Sequence, residues 1–331
     1  MGEHVLEIRD LRVSFPTDDG AVQAVRGVDV DVVPGELLAI VGESGSGKSV
    51  TMLAVMGLLP KEAKITGSVK IGDIQLVGAD KKLARRVRGK RIAMIFQDPL
   101  SALNPVLRVG EQIAEMIKAH QKDLNDEKVK NRVVELLELV GIPQPAVRAR
   151  RYPHEFSGGM RQRAVIAMAI ANDPDVLICD EPTTALDVTI QAQILEVIQR
   201  VQKELHAAVV FITHDLGVVA RIADHVQVMY AGRTAERGDV HDVFLRPAHP
   251  YTVGLLGSLP VIGRDTLTPI PGSPPNMLAP PSGCAFRVRC PHAREICAEN
   301  PPPDLMPFGS IETACRRAEE LAEVGAVGVA P

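Results

Sequence analysis

The strongest constraint on the fold of this 331-residue chain is the string GESGSGKS at positions 42–49. It follows the apolar run LLAIV at 37–41 and precedes an apolar stretch at 50–59. A G-x-x-x-x-G-K-S pattern between a buried strand and a helix is typical of a phosphate-binding loop, because glycines let several backbone N–H groups face one point. The helix adds the positive end of its dipole. A plain Gly/Ser-rich turn is the alternative, and the flanking strand and helix argue against it.

Two side chains of this loop have predicted roles. Lys48 would reach the β- and γ-phosphates of a bound nucleotide, and the Ser49 hydroxyl would ligate Mg²⁺. The other predicted binding residues of the loop are Gly42, Glu43, Ser44, Gly45, Ser46 and Gly47. The string therefore predicts a site for a nucleoside triphosphate and its metal ion.

Charge and hydropathy exclude several classes of protein. The net charge is −4, so no overall basic field indicates nucleic acid as a partner, and the aromatic content of 3% argues against base-stacking platforms. The basic run at 81–91 is interpreted as a solvated helix face rather than a nucleic-acid patch. The first ten residues have no signal-peptide core, and the longest apolar run, 164–171, is too short to span a bilayer. We expect a cytoplasmic protein whose membrane role, if any, comes through a partner.

Strand and helix patterns alternate along the chain. Alternating or wholly apolar runs predict strands, and 3.6-residue periodicity predicts helices. The predicted strands cover 5–14, 24–33, 37–41, 67–77, 91–97, 176–179, 209–213 and 226–230. The predicted helices cover 50–59, two segments within 109–140, then 158–171, 188–205 and 216–222. This order predicts an α/β core with a mostly parallel sheet plus antiparallel strands, a helical insert, and a loop-rich, proline-rich C-terminal region after about residue 240.

An acidic pair ends the predicted strand at 176–179. Asp180 is placed to hold Mg²⁺, directly or through water, and Glu181 to polarise a water molecule against the γ-phosphate. Most adjacent Asp-Glu pairs are solvated surface groups. The preceding apolar strand and the upstream phosphate loop favour the functional interpretation here.

A third element opens the helix predicted at 158–171. Ser157 is a helix N-cap, and Gly158 and Gly159 expose backbone N–H groups, which is a geometry that binds anions. An ordinary N-cap without a ligand fits the same residues.

Together these elements resemble the ATP-binding-cassette ATPases over residues 1 to about 240. The phosphate loop, Gln97, the Ser-Gly-Gly string at 157–159, the acidic pair, the string ALD at 185–187 and His214 occur in the order of that family. The resemblance implies a RecA-like ATPase core at 1–98 and 156–240, a helical signature subdomain at 99–155, and an additional domain at 241–331.

The resemblance also implies roles for single residues. Gln97 would link Mg²⁺ and the attacking water to the helical insert, residues 157–159 would be the signature sequence, and Asp187 would belong to the D-loop. His214 would contact the γ-phosphate. Phe15 would stack on adenine, although an ordinary strand residue is the alternative. The signature begins with Phe156, where the family usually has Leu.

Three further strings resemble the dipeptide/oligopeptide importer branch: QDPLSALNP at 97–105, HPYT at 249–252 and CAFRVRCP at 284–291. This likeness implies a peripheral motor subunit on the cytoplasmic face of the cell membrane. Its partners would be a second ATPase, either a copy or a paralogue, two membrane permease subunits and an extracytoplasmic substrate-binding protein. ATP would be clamped between the two ATPases. Import of nickel or glutathione, and a soluble cassette ATPase outside transport, are the alternatives.

Four cysteines crowd the C-terminal region with the spacing C-x5-C-x6-C-x17-C: Cys284, Cys290, Cys297 and Cys315. Four thiolates suit Zn²⁺ or a [4Fe–4S] cluster, and the gaps match neither zinc knuckles nor the ferredoxin run. Resemblance to the importer branch favours the iron–sulfur cluster. Zinc and free thiols remain open alternatives.

Overall fold

A computed structural model of the chain describes residues 4–97, 102–184, 187–258 and 269–328. The strands are β1 (Leu6–Thr17), β2 (Gly20–Val32), β3 (Leu37–Val41), β4 (Lys64–Ile71), β5 (Ile74–Gln75), β6 (Ile92–Ile95), β7 (Val176–Asp180), β8 (Ala208–Ile212), β9 (His225–Tyr230), β10 (Arg233–Asp239), β11 (Met306–Phe308) and β12 (Ile311–Thr313).

The α-helices are α1 (Lys48–Val55), α2 (Lys81–Val87), α3 (Val109–His120), α4 (Asp126–Leu139), α5 (Pro145–Arg148), α6 (Gly158–Ala169), α7 (Val188–Leu205), α8 (Leu216–Ile222), α9 (Val240–Leu245), α10 (Pro250–Gly257) and α11 (Ala318–Glu323). Short 3-10 helices occupy Pro153–Glu155, Ala285–Val288 and Glu295–Ala298. No helix within the described ranges is long and apolar enough to cross a membrane.

The chain divides into two compact units. The first unit contains Met1–Leu6, Asp31–Leu37 and Lys70–Phe211. Its strands β8, β7 and β6 are neighbours in that order, and β6 runs parallel to β7 with Ile92 opposite Val176. Every residue of these three strands is buried, as expected of central parallel strands covered by helices. Helices α3, α4 and α6 contact one another, and α3 and α4 lie within the segment that the sequence predicts as a helical insert.

The second unit contains Glu7–Val30, Leu38–Val69 and Ile212–Pro331. In it β3 pairs parallel with β9, and β10 continues the sheet antiparallel to β9. The C-terminal region adds β12 antiparallel to β10, and β11 closes a hairpin with β12. Strands β2, β1 and β4 are neighbours in a separate sheet. The C-terminal region therefore extends the sheet that carries the phosphate loop.

Two predicted elements differ from the structure because glycines interrupt them. The strand predicted at 67–77 divides into β4 and β5, since Gly72 adopts a positive φ of 57° in the turn between them. The helix predicted at 50–59 is shorter and earlier, because α1 begins at Lys48 and Gly57, with φ 60°, follows its last turn. The predicted helices at 188–205 and 216–222 are confirmed with the same bounds.

The C-terminal region has an aromatic core that proline content did not predict. Tyr251 and Phe286 are buried, with ring centroids 5.3 Å apart, and Tyr230 of β9 packs against both. Large aromatic side chains bury much apolar area each, so a few of them stabilise a segment that is otherwise mostly loop.

Candidate functional site

The loop at residues 42–49 connects β3 to α1 and has a backbone that requires glycine. Gly42 has φ 148°, and a Cβ placed there would lie 2.2 Å from the Met229 carbonyl oxygen. Gly47, the residue before α1, has φ 101°, and its Cβ would lie 2.6 Å from the Ala24 carbonyl oxygen. Both positions exclude any larger residue, which explains two of the three glycines in the motif.

Two buried polar side chains of the loop fit a phosphate group. The Lys48 ammonium donates to the carbonyl oxygens of Gly42 at 2.8 Å and Glu43 at 3.0 Å, and Lys48 is buried. The Ser46 hydroxyl is buried and has no hydrogen-bond partner within the described residues. A buried polar atom without a partner is costly, so an anionic ligand at this loop would satisfy it. The loop thus fits the triphosphate that the sequence predicts.

The side chain of Glu43 lies in a set of contacts that sequence reasoning missed. Arg289 binds its carboxylate through both terminal nitrogens, at 2.6 Å and 3.0 Å, and the Tyr251 hydroxyl accepts the Glu43 backbone N–H at 2.8 Å. Both partners come from the C-terminal region, more than 200 residues further along the chain. The strings HPYT and CAFRVRCP contain them, but nothing local in those strings indicates a contact with the loop.

The acidic pair ends β7 in the first unit. Asp180 is the last, buried residue of the strand, and Glu181 has a positive φ of 46°. The Glu181 carboxylate accepts hydrogen bonds from the Gln97 amide at 3.1 Å and from the Thr184 hydroxyl at 3.0 Å. Two predicted site residues, 84 positions apart, are therefore in direct contact. Thr184 is a further member of this group that sequence reasoning missed.

Residues 157–159 lie at the start of α6, as the sequence predicts. The Ser157 hydroxyl accepts the Met160 N–H at 3.3 Å, which confirms the N-cap, and Ser157 and Gly158 are exposed. A Cβ on Gly159 would lie 3.1 Å from Ile190 Cγ2, so this glycine lets α6 approach α7. Asp187 is exposed and caps α7 by accepting the N–H groups of Thr189 and Ile190, each at 3.0 Å.

The remaining predicted residues are distributed over both units. Phe15 lies half-buried in β1, and His214 is exposed two residues after β8. Residues 98–101 of the QDPLSALNP string and Ala185 and Leu186 of the predicted D-loop lie outside the described residues.

The four C-terminal cysteines line one small cavity. Its volume is about 20 Å³, and His249 and His292 are also in its lining. Burial raises the pKa of Cys284 and Cys290 above the usual range and that of Cys315 to about 12. Within the described ranges no three His, Cys, Asp or Glu side chains are placed to hold a metal ion. The thiols converge, but not at the distances of a formed metal site.

Known proteins are similar to this chain over nearly its whole length. The family model "ABC transporter" matches residues 25–184, and "Oligopeptide/dipeptide transporter, C-terminal region" matches residues 235–297. The chain is 54% identical to the oligopeptide transport ATP-binding protein OppD of Bacillus subtilis over 90% of its own length and 85% of that protein. It is 51% identical to the dipeptide transport ATP-binding protein DppD of the same organism, over 97% of each chain. This chain belongs to the ABC transporter family.

Solved structures of the family have the same fold. A post-hydrolysis dimer of the ATP-binding cassette MJ0796 bound to ADP and Pi matches with a TM-score of 0.63 and 25% identity, over 71% of this chain and 98% of that one. CbiO1 of Clostridium perfringens, part of the transporter complex cbiONQ, matches with a TM-score of 0.63 and 28% identity, over 73% and 91%. The predicted family, the α/β cassette fold and the ATPase activity are thus confirmed, and ATP and Mg²⁺ are the cofactors of this family.

Proposed function

We propose that this chain is the ATP-hydrolysing subunit of an importer for dipeptides or oligopeptides, bound at the cytoplasmic face of the cell membrane. One observation carries this proposal: a phosphate-binding loop of the required geometry is contacted by a C-terminal region of the oligopeptide/dipeptide transporter type. Relatives that are 54% and 51% identical in sequence are named as oligopeptide and dipeptide transport ATP-binding proteins, which supports peptides as the cargo class.

In the proposed site, the loop at residues 42–49 holds the triphosphate and Lys48 contacts its β- and γ-phosphates. Ser49, Gln97 and Asp180 would ligate Mg²⁺, which neutralises charge on the phosphates when it is bound. Glu181 orients and polarises the attacking water, and the hydrogen bonds from Gln97 and Thr184 fix its carboxylate. His214 donates to a γ-phosphate oxygen, and Phe15 stacks on adenine.

The residues at 157–159 are proposed to act on a second ATPase. A chain with one signature and one phosphate loop completes its site when the signature of a partner closes over the nucleotide. The exposure of Ser157, Gly158 and Asp187 supports this role, since these groups are accessible to a partner. The partner is a second copy of this chain or a paralogue. Two permease subunits and an extracytoplasmic binding protein complete the proposed importer.

Reconstitution tests the proposal. The chain is combined in liposomes with two candidate permeases and a candidate binding protein from the same genome, and uptake and ATP hydrolysis are measured with a dipeptide, an oligopeptide, Ni²⁺ and glutathione. Peptide-stimulated hydrolysis coupled to peptide uptake supports the proposal. Stimulation by Ni²⁺ or glutathione alone supports the corresponding importer, and hydrolysis that no permease alters supports a soluble ATPase.

For the four C-terminal cysteines we propose a metal group, with [4Fe–4S] favoured over Zn²⁺ and free thiols as the remaining alternative. The convergence of Cys284, Cys290, Cys297 and Cys315 on one cavity supports it, because four thiolates suit either group. The cavity is about the size of one water molecule, so the thiols must rearrange to bind a cluster.

Visible absorbance with iron, sulfide and zinc analysis of anaerobically purified protein distinguishes these alternatives. A visible absorption band with iron and sulfide supports the cluster, and one zinc per chain supports zinc. Colourless protein without either metal supports free thiols.

A further inference from the structure

The C-terminal region contacts the loop at residues 42–49 through Glu43. The Glu43 carboxylate and the Arg289 guanidinium form a two-point ion pair, with 27% of the Glu43 side chain and 4% of the Arg289 side chain exposed. A bidentate charge-assisted pair fixes both distance and orientation. Because the pair is largely shielded from water, it is weakly screened by salt.

Arg289 is itself fixed by the C-terminal region. Its Nε donates to the Pro271 carbonyl oxygen at 2.8 Å, its terminal nitrogens reach the Ile270 carbonyl and the Tyr230 hydroxyl at 3.4 Å each, and it lies over the Tyr230 ring. The guanidinium is thus anchored on one side by backbone of the C-terminal region and bound on the other side to the phosphate loop. Arg289 therefore links the backbone at Ile270 and Pro271 to the loop residue Glu43.

The Glu43 backbone is held by a second contact from the same region. The Tyr251 hydroxyl accepts the Glu43 N–H, and the buried ring of Tyr251 packs against Tyr230 and Phe286. One loop residue is therefore bound at its carboxylate and at its backbone. An unpaired carboxylate at this position would repel the phosphates of a nucleotide, so Arg289 also removes an unfavourable charge from the loop.

We propose that Arg289 and Tyr251 are positioning residues that pre-organise the phosphate loop, so that the affinity for ATP depends on the C-terminal region. The inference rests on the proposed nucleotide-binding role of residues 42–49. The C-terminal region then contributes to nucleotide binding by holding the loop in its binding conformation.

The test measures equilibrium binding of a fluorescent ATP analogue to the full-length chain. Arg289→Gln should raise the Kd roughly tenfold or more, because it releases the loop and leaves the Glu43 carboxylate unpaired beside the phosphates. Glu43→Gln also releases the loop but removes that carboxylate, so it should raise the Kd less. Since both act through one contact, the double variant should bind no more weakly than the weaker single variant. Arg289→Lys, which keeps the charge but not the two-point geometry, should restore part of the affinity.

Arg287→Gln is the matched control. Arg287 lies two residues away, and its guanidinium contacts Ser282 rather than the loop, so its removal should leave the Kd unchanged. If Arg289→Gln does not fold, Glu43→Gln tests the ion pair, and Tyr251→Phe, which should also raise the Kd, tests the contact of the Tyr251 hydroxyl with the Glu43 N–H. Wild-type affinity in folded Arg289→Gln, or additive losses in the double variant, would overturn the inference. Where Arg289→Gln does not fold, wild-type affinity in both Glu43→Gln and Tyr251→Phe would overturn it. A wild-type chain that binds no nucleotide would instead overturn the proposed function.

Discussion

The Gln97 amide donates to the Glu181 carboxylate at 3.1 Å, and the same oxygen accepts the Thr184 hydroxyl at 3.0 Å. Both donors hold the carboxylate in one orientation at the end of β7. A general base that is fixed in this way needs no large rearrangement to meet a water molecule, and one of the two hydrogen bonds can be exchanged for it. The Gln97–Glu181 hydrogen bond also joins the segment after β6 to the proposed general base.

Glu181→Gln should lower steady-state ATP hydrolysis roughly 10²–10⁴-fold while ATP still binds, because the amide keeps the shape but cannot accept a proton. The assembled complex is assayed for phosphate release, and binding is measured separately. Glu204→Gln, an exposed glutamate on α7, is the control. Near-normal turnover in Glu181→Gln would remove this residue from the proposed role.

Lys48→Met should weaken ATP binding at least roughly tenfold, because the variant keeps an unbranched side chain and loses the ammonium. It also loses the hydrogen bonds to the carbonyl oxygens of Gly42 and Glu43. Calorimetric titration with Mg-ATP gives the affinity. The exposed Lys203→Met should bind like the wild type, and equal affinities for all three proteins would contradict the assignment.

Gly42→Ala should be far more destabilising than Gly45→Ala. Both glycines have positive φ, at 148° and 77°, but at Gly42 a Cβ would lie 2.2 Å from a backbone oxygen. At Gly45 no atom of the described residues, apart from the two chain neighbours, would lie within 4 Å of a Cβ. Gly45→Ala should cost about 1–2 kcal/mol for the left-handed backbone alone. Urea unfolding of both variants measures the difference, and equal losses would show that the contact with the Met229 carbonyl is readily relieved.

His249 should make the stability depend on pH. Its Nδ1 accepts the Tyr251 N–H at 3.0 Å at the start of α10, and burial lowers its pKa to about 4. The unfolded chain has a histidine pKa of about 6.5, so it binds one more proton than the folded chain between these values. Folding stability is therefore lost as the pH falls from about 6.5 to about 4, by up to about 3 kcal/mol.

His249→Asn provides the comparison, because Asn also caps a helix and does not titrate. Thermal unfolding of both proteins from pH 7 to 4.5 should show the wild type losing stability relative to the variant. The comparison cancels Glu236, which accepts the His249 N–H and whose pKa burial raises to about 7, with an opposite slope. A difference in Tm that stays constant over this range would contradict the prediction.

The sequence predicted correctly those elements that depend on residues close together along the chain. The five apolar residues of β3, the three glycines and the lysine of the loop occur within 12 positions, so strand, loop and helix could be predicted together. Ser157 could be predicted as a helix N-cap for the same reason, since its cap depends on a residue three positions away. The cap that Asp187 provides for α7 was not predicted. The break at Gly72 was missed because the flanking residues keep a strand-like composition.

By itself, the sequence determined the nucleotide loop, the order of the motifs along the chain and the clustering of four cysteines in the C-terminal region. Each of these depends on residue type and position along the chain. Only the tertiary structure decided that Arg289 binds Glu43 across 246 positions and that Gln97 binds Glu181 across 84. Contacts of that separation depend on how sheets and helices pack, and periodicity along the chain carries no information about which distant side chains meet.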